Sequence, residues 1–167
     1  IEFPSRRGTL VAVDGVSLAL EKGEILGVVG ESGAGKSTIG NAVIGLLEAP
    51  GRLAGGAVLL NGERIDTLNP AQKRKVRGRR IGMIFQDPLT SLDPLQTVES
   101  QLVETMQVHL DLSHAEAQKR AVQLLAQVGI DKPELRVKQY PHQFSGGMRQ
   151  RVVIALALCC EPEVIIA

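Results

Sequence analysis

Residues 30–38, with the sequence Gly-Glu-Ser-Gly-Ala-Gly-Lys-Ser-Thr, decide the fold of this 167-residue chain. They follow the apolar run at residues 25–29 and precede residues 39–47, whose apolar side chains recur at helical spacing. This order predicts a strand, a glycine-rich loop and a helix, and the spacing is that of a phosphate-binding P-loop. An ordinary glycine-rich turn is the alternative, but a chance match is expected in about one chain of this length in a hundred.

The residue types in this loop suit a bound triphosphate. Glycines allow the backbone N–H groups to approach the phosphates closely and permit positive φ angles. Lys36 would reach the β- and γ-phosphates, and the Ser37 hydroxyl would bind Mg²⁺. The positive end of the following helix adds to the attraction. The predicted nucleotide-binding residues of the loop are Gly30, Glu31, Ser32, Gly33, Ala34, Gly35, Lys36, Ser37 and Thr38.

The composition is that of an ordinary globular domain, with 44% hydrophobic and 22% charged residues. The net charge of +1 argues neither for nucleic acid nor for an anionic membrane surface. The longest apolar run, residues 152–160, is far shorter than the ~20 residues that span a bilayer. The adjacent Cys159 and Cys160 indicate small core residues in a reducing compartment, so we expect a cytosolic protein.

Both ends of the chain suggest a fragment. The chain starts at Ile1 and stops within the apolar run 164–167, just after Pro162. Such a run after a proline turn is typical of a buried strand of a parallel sheet, which needs neighbours to complete its pairing. We therefore expect a chain truncated at both ends.

Three further segments have strand-like patterns. Residues 9–20 alternate loosely and predict a half-buried strand, while residues 57–60 followed by Asn61-Gly62 predict a hairpin. Residues 81–85 predict a buried strand that ends at Gln86. A glutamine there lies where open α/β sheets place ligands, so it could bind Mg²⁺ or a water molecule beside the γ-phosphate. A surface loop residue is the alternative.

Residues 97–128 have helical spacing, and Ser113 and Glu116 form a capping box within them. His109 and His114 lack metal-ligand spacing, and we expect both to be surface residues. The basic run at residues 73–80 could contact nucleic acid, but no aromatic platform accompanies it. We therefore expect a solvated helix face.

Ser145, Gly146 and Gly147 precede a helix predicted at about residues 149–160. Their hydroxyl and bare amides form a second anion-receptive helix start. An N-cap serine with flexible glycines is the alternative. Two anion sites in one chain suggest that one phosphate is held from both sides.

Taken together, these motifs resemble the ATP-binding subunits of ABC transporters across the whole chain. The P-loop looks like Walker A, Gln86 like the Q-loop glutamine, residues 144–148 like the ABC signature, and residues 164–167 like the apolar half of Walker B. Phe3 lies where an adenine-stacking aromatic would be expected.

The segments 84–94 and 140–143 are similar to the oligopeptide, dipeptide and nickel importer branch of this family. Met148 stands where many ABC proteins have glutamine. The Walker B aspartate, the catalytic glutamate and the switch histidine of the family would all follow Ala167.

The resemblance implies an α/β P-loop NTPase core with an antiparallel β subdomain and a helical subdomain. It divides the chain into a β subdomain with the P-loop core (residues 1–87), a helical subdomain ending in the signature helix (88–158) and the start of the Walker B strand (159–167).

The resemblance also implies a head-to-tail dimer that holds two ATP–Mg²⁺ between its subunits. Lys36 and Gln86 would serve catalysis, and Ser37 and Gln86 would bind Mg²⁺. The residues that would contact the nucleotide from the partner subunit are Ser145, Gly146, Gly147 and Met148.

The implied function is ATP hydrolysis coupled to uptake of peptides or a related small solute, at the cytoplasmic face of the membrane. The implied partners are a second ATPase subunit, identical or different, permease subunits near the Q-loop and, indirectly, a solute-binding protein, with no nucleic acid. A nucleotide-binding and dimerisation module without turnover is the alternative for the chain itself. An ABC protein acting on ribosomes or DNA should show two cassettes or a long coiled-coil insertion, and neither is visible.

Overall fold

The computed structural model describes the backbone of residues 1–167 and all side chains except that of Leu89. The chain forms two compact units, Ile1–Lys73 and Arg74–Ala167. Within this described part, no helix combines the length and the apolarity that crossing a bilayer requires.

Two antiparallel hairpins form the strands of the first unit. Strand β1 (Glu2–Ser5) pairs with β2 (Gly8–Val11), and β3 (Leu59–Leu60) pairs with β4 (Glu63–Arg64). The second hairpin turns at Asn61 and Gly62, with φ angles of 51° and 81°. Positive φ at both central residues is the signature of a type I′ turn, so the hairpin predicted from Asn-Gly is confirmed.

Helix α1 (Lys36–Ile44) follows the glycine-rich loop and is shifted from the predicted residues 39–47. Its end is set by Gly45, which is left-handed with φ 72° and donates its N–H to the Ala42 carbonyl, while Leu46 N–H reaches the Asn41 carbonyl. These two bonds form a Schellman motif, which closes the helix before residue 47.

The predicted strand at residues 9–20 forms only at its start, in the exposed strand β2, and the predicted strand at residues 25–29 does not form. Residues 16–20 and 25–29 belong to no ladder in the described backbone, and Ile25 and Val29 are 97% and 93% exposed. An apolar run shows that a segment can be buried between neighbours, but only a paired neighbour makes it a strand. No segment of the described backbone supplies that pairing, so the predictions for these segments are wrong.

The second unit contains a parallel pair of strands, β5 (Ile81–Met83) and β6 (Val164–Ile166). Gly82 lies opposite Ile165, and Ile84 N–H extends the ladder to the Ile166 carbonyl at 2.8 Å. The strands predicted in these two runs are confirmed, although β5 ends at Met83 and β6 is half-buried rather than buried.

The remaining elements are helical, and most lie in the second unit. The capping box is confirmed, because Ser113 N–H donates to a Glu116 carboxylate oxygen at 2.9 Å and Glu116 N–H to Ser113 Oγ at 3.3 Å. The bonds from Ser113 also lower the pKa of Glu116. The helices are α2 (Pro70–Val76), α3 (Pro88–Ser91), α4 (Val98–His109), α5 (His114–Gln127), α6 (Pro133–Arg136) and α7 (Gly146–Leu158).

The core of the second unit is formed by α4, α5 and α7, with Leu102, Leu125 and Val152 wholly buried. Cys159 and Cys160 are free thiols in this core, with their Sγ atoms 3.6 Å apart. The hydrogen bond from Cys160 and burial raise the pKa of the Cys159 thiol. The prediction that both are core residues is confirmed.

The basic run is not simply a solvated helix face. Arg79 Nη1 donates to the Cys160 carbonyl at 3.1 Å, and Arg80 Nε donates to Glu163 at 2.7 Å. These arginines therefore link the start of β5 to the turn before β6, while Arg74 and Lys75 remain exposed on α2.

His109 is half-buried, so its prediction as a surface residue is wrong. It lies against Gly78, where an added Cβ would come within 2.7 Å of the imidazole Nε2. Gly78 is left-handed with φ 79°, and its lack of a side chain provides the space for the ring. Burial, and next the positive charge of Arg79, lower the pKa of His109.

This environment predicts that the second unit loses stability in mild acid. The folded chain favours neutral His109, whereas the unfolded chain binds the proton at the ordinary pKa of ~6.5. The free energy of unfolding should therefore be highest above that pH and fall as the pH drops below it. Urea unfolding at pH 7.5 and 5.5 should show a smaller pH dependence for His109→Gln than for the unchanged protein. His114→Gln, at an exposed position, should keep the full dependence, and equal slopes for all three proteins would contradict the prediction.

Candidate functional site

The glycine-rich loop has the backbone conformation that its sequence predicts. Gly33 and Gly35 are left-handed, with φ angles of 84° and 86°, and Ala34 N–H donates to the Glu31 carbonyl at 3.2 Å. An added Cβ at Gly35 would lie 3.0 Å from the Ala12 carbonyl oxygen and from Val13. Glycine is therefore required at this position both by conformation and by space.

Lys36 is folded back over the loop from the first position of α1. Its Nζ donates to the Gly30 carbonyl at 2.8 Å and to the Glu31 carbonyl at 2.7 Å. An ammonium group has three donors, so two of them hold the side chain in place and the third remains for another acceptor.

The N-terminus of α1 is suited to an anion. No side chain caps it and its first turn holds no acidic residue. The first amides of a helix lack partners within the helix, and they carry the positive end of its dipole. Ser37, the second residue of α1, is exposed, whereas Thr38 is half-buried.

Gln86 is exposed and lies beyond the carboxyl end of β5, three residues after Met83. The carbonyl of the next residue, Asp87, accepts bonds from the hydroxyls of Thr90 and Ser91, which begins the short helix α3. Because α3 packs against α7, the segment after Gln86 adjoins the helix that carries the second predicted anion site.

That helix, α7, begins at Gly146 and not near Arg149 as predicted. Ser145 is its N-cap, since its Oγ accepts from Met148 N–H at 3.3 Å, and the cap sets the start three residues earlier. The Met148 side chain is half-buried and packs partly against the helical core.

Neither the backbone conformation nor the packing within the chain requires glycine at positions 146 and 147. Neither has a positive φ angle, and a Cβ added at either would meet no atom within 4 Å. The first two residues of α7 therefore leave the backbone at the helix start without side chains.

Phe3 is a half-buried residue of β1. Its ring lies against Gly51, where an added Cβ would come within 2.6 Å of the Phe3 ring.

The predicted residues divide between the two units. The glycine-rich loop and Phe3 belong to the first unit, and Gln86 and the start of α7 belong to the second. Among the residues with described side chains, no group of three or more histidine, cysteine, aspartate or glutamate residues could hold a metal ion.

Residues 13–167 match the profile of a protein family described as ABC transporter. The chain belongs to this family. Among curated ABC proteins, the oligopeptide transport ATP-binding protein OppD of Bacillus subtilis is 48% identical over the whole chain, which covers 47% of that protein. OppD of Escherichia coli is 46% identical over the whole chain, which covers 49% of it. The chain thus spans about half the length of these relatives.

Solved ABC structures share the fold. The dimeric structure of a post-hydrolysis state of the ATP-binding cassette MJ0796, bound to ADP and Pi, is 28% identical to this chain with a TM-score of 0.85. The comparison covers 98% of this chain and 68% of that one. The P-loop ABC ATPase fold predicted from the sequence is confirmed.

Proposed function

We propose that the protein containing this chain is the ATP-binding subunit of an ABC importer, which couples ATP binding and hydrolysis to the uptake of peptides or a related small solute. Identity of 46–48% over the whole chain to oligopeptide and dipeptide transport ATP-binding proteins supports this branch of the family.

The observation that carries the proposal is the pair of anion-receptive helix starts, one in each unit. The glycine-rich loop with Lys36 would hold the triphosphate in one subunit. The bare amides of Gly146 and Gly147, with the Ser145 hydroxyl, would complete the site from a second subunit. Because neither the conformation nor the packing of the chain itself requires glycine at these two positions, a contact with a nucleotide held by a second subunit is supported.

Each chain residue has a distinct part in this scheme. Lys36 would donate to the β- and γ-phosphates, and the exposed Ser37 hydroxyl and the Gln86 amide oxygen would bind Mg²⁺. Mg²⁺, when bound, would neutralise charge on the phosphate oxygens. Gln86, on the segment leading to α3, would transmit the state of the site to permease subunits. Phe3 would stack on the adenine.

The remaining parts of the proposal follow from this scheme. The protein would act at the cytoplasmic face of the membrane, held there by permease subunits that receive solute from a binding protein. It would pair with an identical or different ATPase subunit and would bind no nucleic acid. The division into residues 1–87, 88–158 and 159–167 is part of the same proposal.

Gly147→Val in the full-length protein tests the role of the signature helix. Because a Cβ at this position meets no atom within 4 Å, the fold should tolerate valine with little change in melting temperature. The branched side chain should instead keep phosphate away from the amides. We expect ATP-dependent dimerisation, measured by light scattering, to be lost, while ATP binding to the single subunit persists.

The matched control is Gly55→Val, another position at which an added Cβ meets no atom within 4 Å. It should dimerise normally. Normal dimerisation of Gly147→Val would contradict the proposal. Dimerisation without steady-state ATP hydrolysis in the unchanged full-length protein would favour a nucleotide-binding module without turnover.

A further inference from the structure

Two aromatic rings stack at the surface just before the signature helix. The rings of Tyr140 and His142 have centroids 5.6 Å apart and planes inclined by 14°. Both residues are exposed, Tyr140 at 40%. The whole chain has one tyrosine, three phenylalanines and no tryptophan, so an exposed ring pair is an unusual use of few aromatic residues.

A rigid turn holds this pair outward. Gln143 N–H donates to the Tyr140 carbonyl at 2.9 Å, and Tyr140 N–H donates to the Gln143 side-chain oxygen at 2.8 Å. Buried Pro141 and Phe144 anchor the turn on the core, and Phe144 N–H donates to the Pro141 carbonyl at 3.1 Å. The backbone of the turn therefore fixes the positions from which the two rings project.

The segment before the turn is anchored as well. The carbonyls of Val137 and Gln139 accept from the backbone N–H groups of Glu99 and Val98 at 2.7 and 3.0 Å. This ties the ring pair to the first turn of α4. Because each ring covers only one face of the other, each has an outer face that can receive a third planar group.

We propose that His142, backed by Tyr140, is a stacking surface for the nucleoside end of the nucleotide whose triphosphate meets the start of α7. This inference rests on the proposed head-to-tail ATP dimer and adds a second contact from the partner subunit to it. His142 lies in the short 3-10 turn Pro141–Gln143, which ends two residues before Ser145, so the ring pair and the start of α7 are neighbours along the chain. A ligand bound at Ser145 by its terminal phosphate can therefore extend its base toward the rings.

The chemistry suits a base rather than a phosphate. Stacking on an aromatic face accepts any base, because every base has a π face. His142 would thus add affinity for the whole nucleotide and none for a bare phosphate chain, whereas Ser145 and Gly147 would serve both. This difference separates the ring pair from the helix start.

The experiment compares two ligands in the full-length protein with Mg²⁺. One is a hydrolysis-resistant ATP analogue, and the other is inorganic tripolyphosphate, which lacks the nucleoside. We expect His142→Leu to raise the half-saturating concentration of the ATP analogue for dimerisation roughly three- to tenfold, and to leave that of tripolyphosphate unchanged. His142→Phe keeps an aromatic ring at this position, so its half-saturating concentration of the ATP analogue should equal that of the unchanged protein.

A fluorescent etheno-adenine analogue of ATP provides a second measurement. Its emission should be quenched on dimer formation in the unchanged protein and less so in His142→Leu. His114→Leu, at an exposed histidine on α5, is the matched control and should behave as the unchanged protein.

Two results would overturn this inference and leave the proposed function standing. The first is a half-saturating concentration of the ATP analogue that is the same in His142→Leu as in the unchanged protein. The second is an equal rise in the half-saturating concentrations of the ATP analogue and tripolyphosphate, which would indicate a structural role of the turn. Failure of the unchanged protein to dimerise with the ATP analogue would overturn the proposed function and this inference together.

Discussion

Replacing Lys36 by alanine is expected to reduce steady-state ATP turnover of the full-length protein by a factor on the order of 10²–10³, the loss typical of removing one donor that stabilises developing charge. The side chain bonds the Gly30 and Glu31 carbonyls, so the variant also loses two bonds that hold the loop in its compact form. Nucleotide affinity should fall as well, because a charge-assisted hydrogen bond contributes roughly 1.5–3 kcal/mol.

Turnover and equilibrium binding of Mg-ATP would be measured on the same preparations. Lys22→Ala, which removes an exposed lysine from a turn of the same unit, is the matched control and should retain both. Lys36→Arg separates charge from shape, since a planar guanidinium keeps the charge but cannot occupy the position of a compact ammonium. Turnover of Lys36→Ala within threefold of the unchanged protein would refute the assignment of this lysine.

The second large effect is expected at Gly82, where β5 passes beneath α7. A Cβ added there would lie 2.5 Å from the Ala157 carbonyl oxygen and 2.7 Å from Ile165 Cδ1. The first of these atoms is helix backbone, which cannot rotate away as a side chain can. Gly82→Ala should therefore cost about 1–3 kcal/mol, the range for overpacking a close-packed interior.

The measurement is thermal unfolding, with an expected fall in melting temperature of roughly 3–10 °C. Gly55→Ala is the matched control, because an added Cβ there meets no atom within 4 Å. A melting temperature of Gly82→Ala equal to that of the control would show that α7 moves aside without cost.

Local signals in the sequence predicted local structure well. The Asn61-Gly62 turn, the Ser113 and Glu116 capping box, and the left-handed glycines of the phosphate loop are each determined by the residues that form them. Their geometry needs no distant partner, so spacing and residue type were sufficient. The strands β5 and β6 were also predicted from their apolar runs, but their pairing with each other appears only in the structure.

The predictions are wrong where the structure of a segment depends on residues that are distant in sequence. Residues 16–20 and 25–29 have strand-like composition, but a ladder requires a partner strand that composition does not reveal. His109 is half-buried because Gly78, distant in sequence, leaves space for its ring. The stacking of Tyr140 and His142 is not predicted by the sequence, because the parallel arrangement of the rings depends on the turn that Pro141 begins.

Lys36 bears on the thermodynamics of ligand capture. A free lysine side chain has up to about 2 kcal/mol of rotamer entropy to lose on being fixed. Here the two carbonyls of the loop already restrict the ammonium, so folding has met that cost before any encounter with nucleotide. On association, the third donor of the ammonium would meet an anionic acceptor while the two carbonyl bonds keep the cation in place. Such preorganisation favours rapid capture and predicts a binding entropy less unfavourable than that of a mobile lysine.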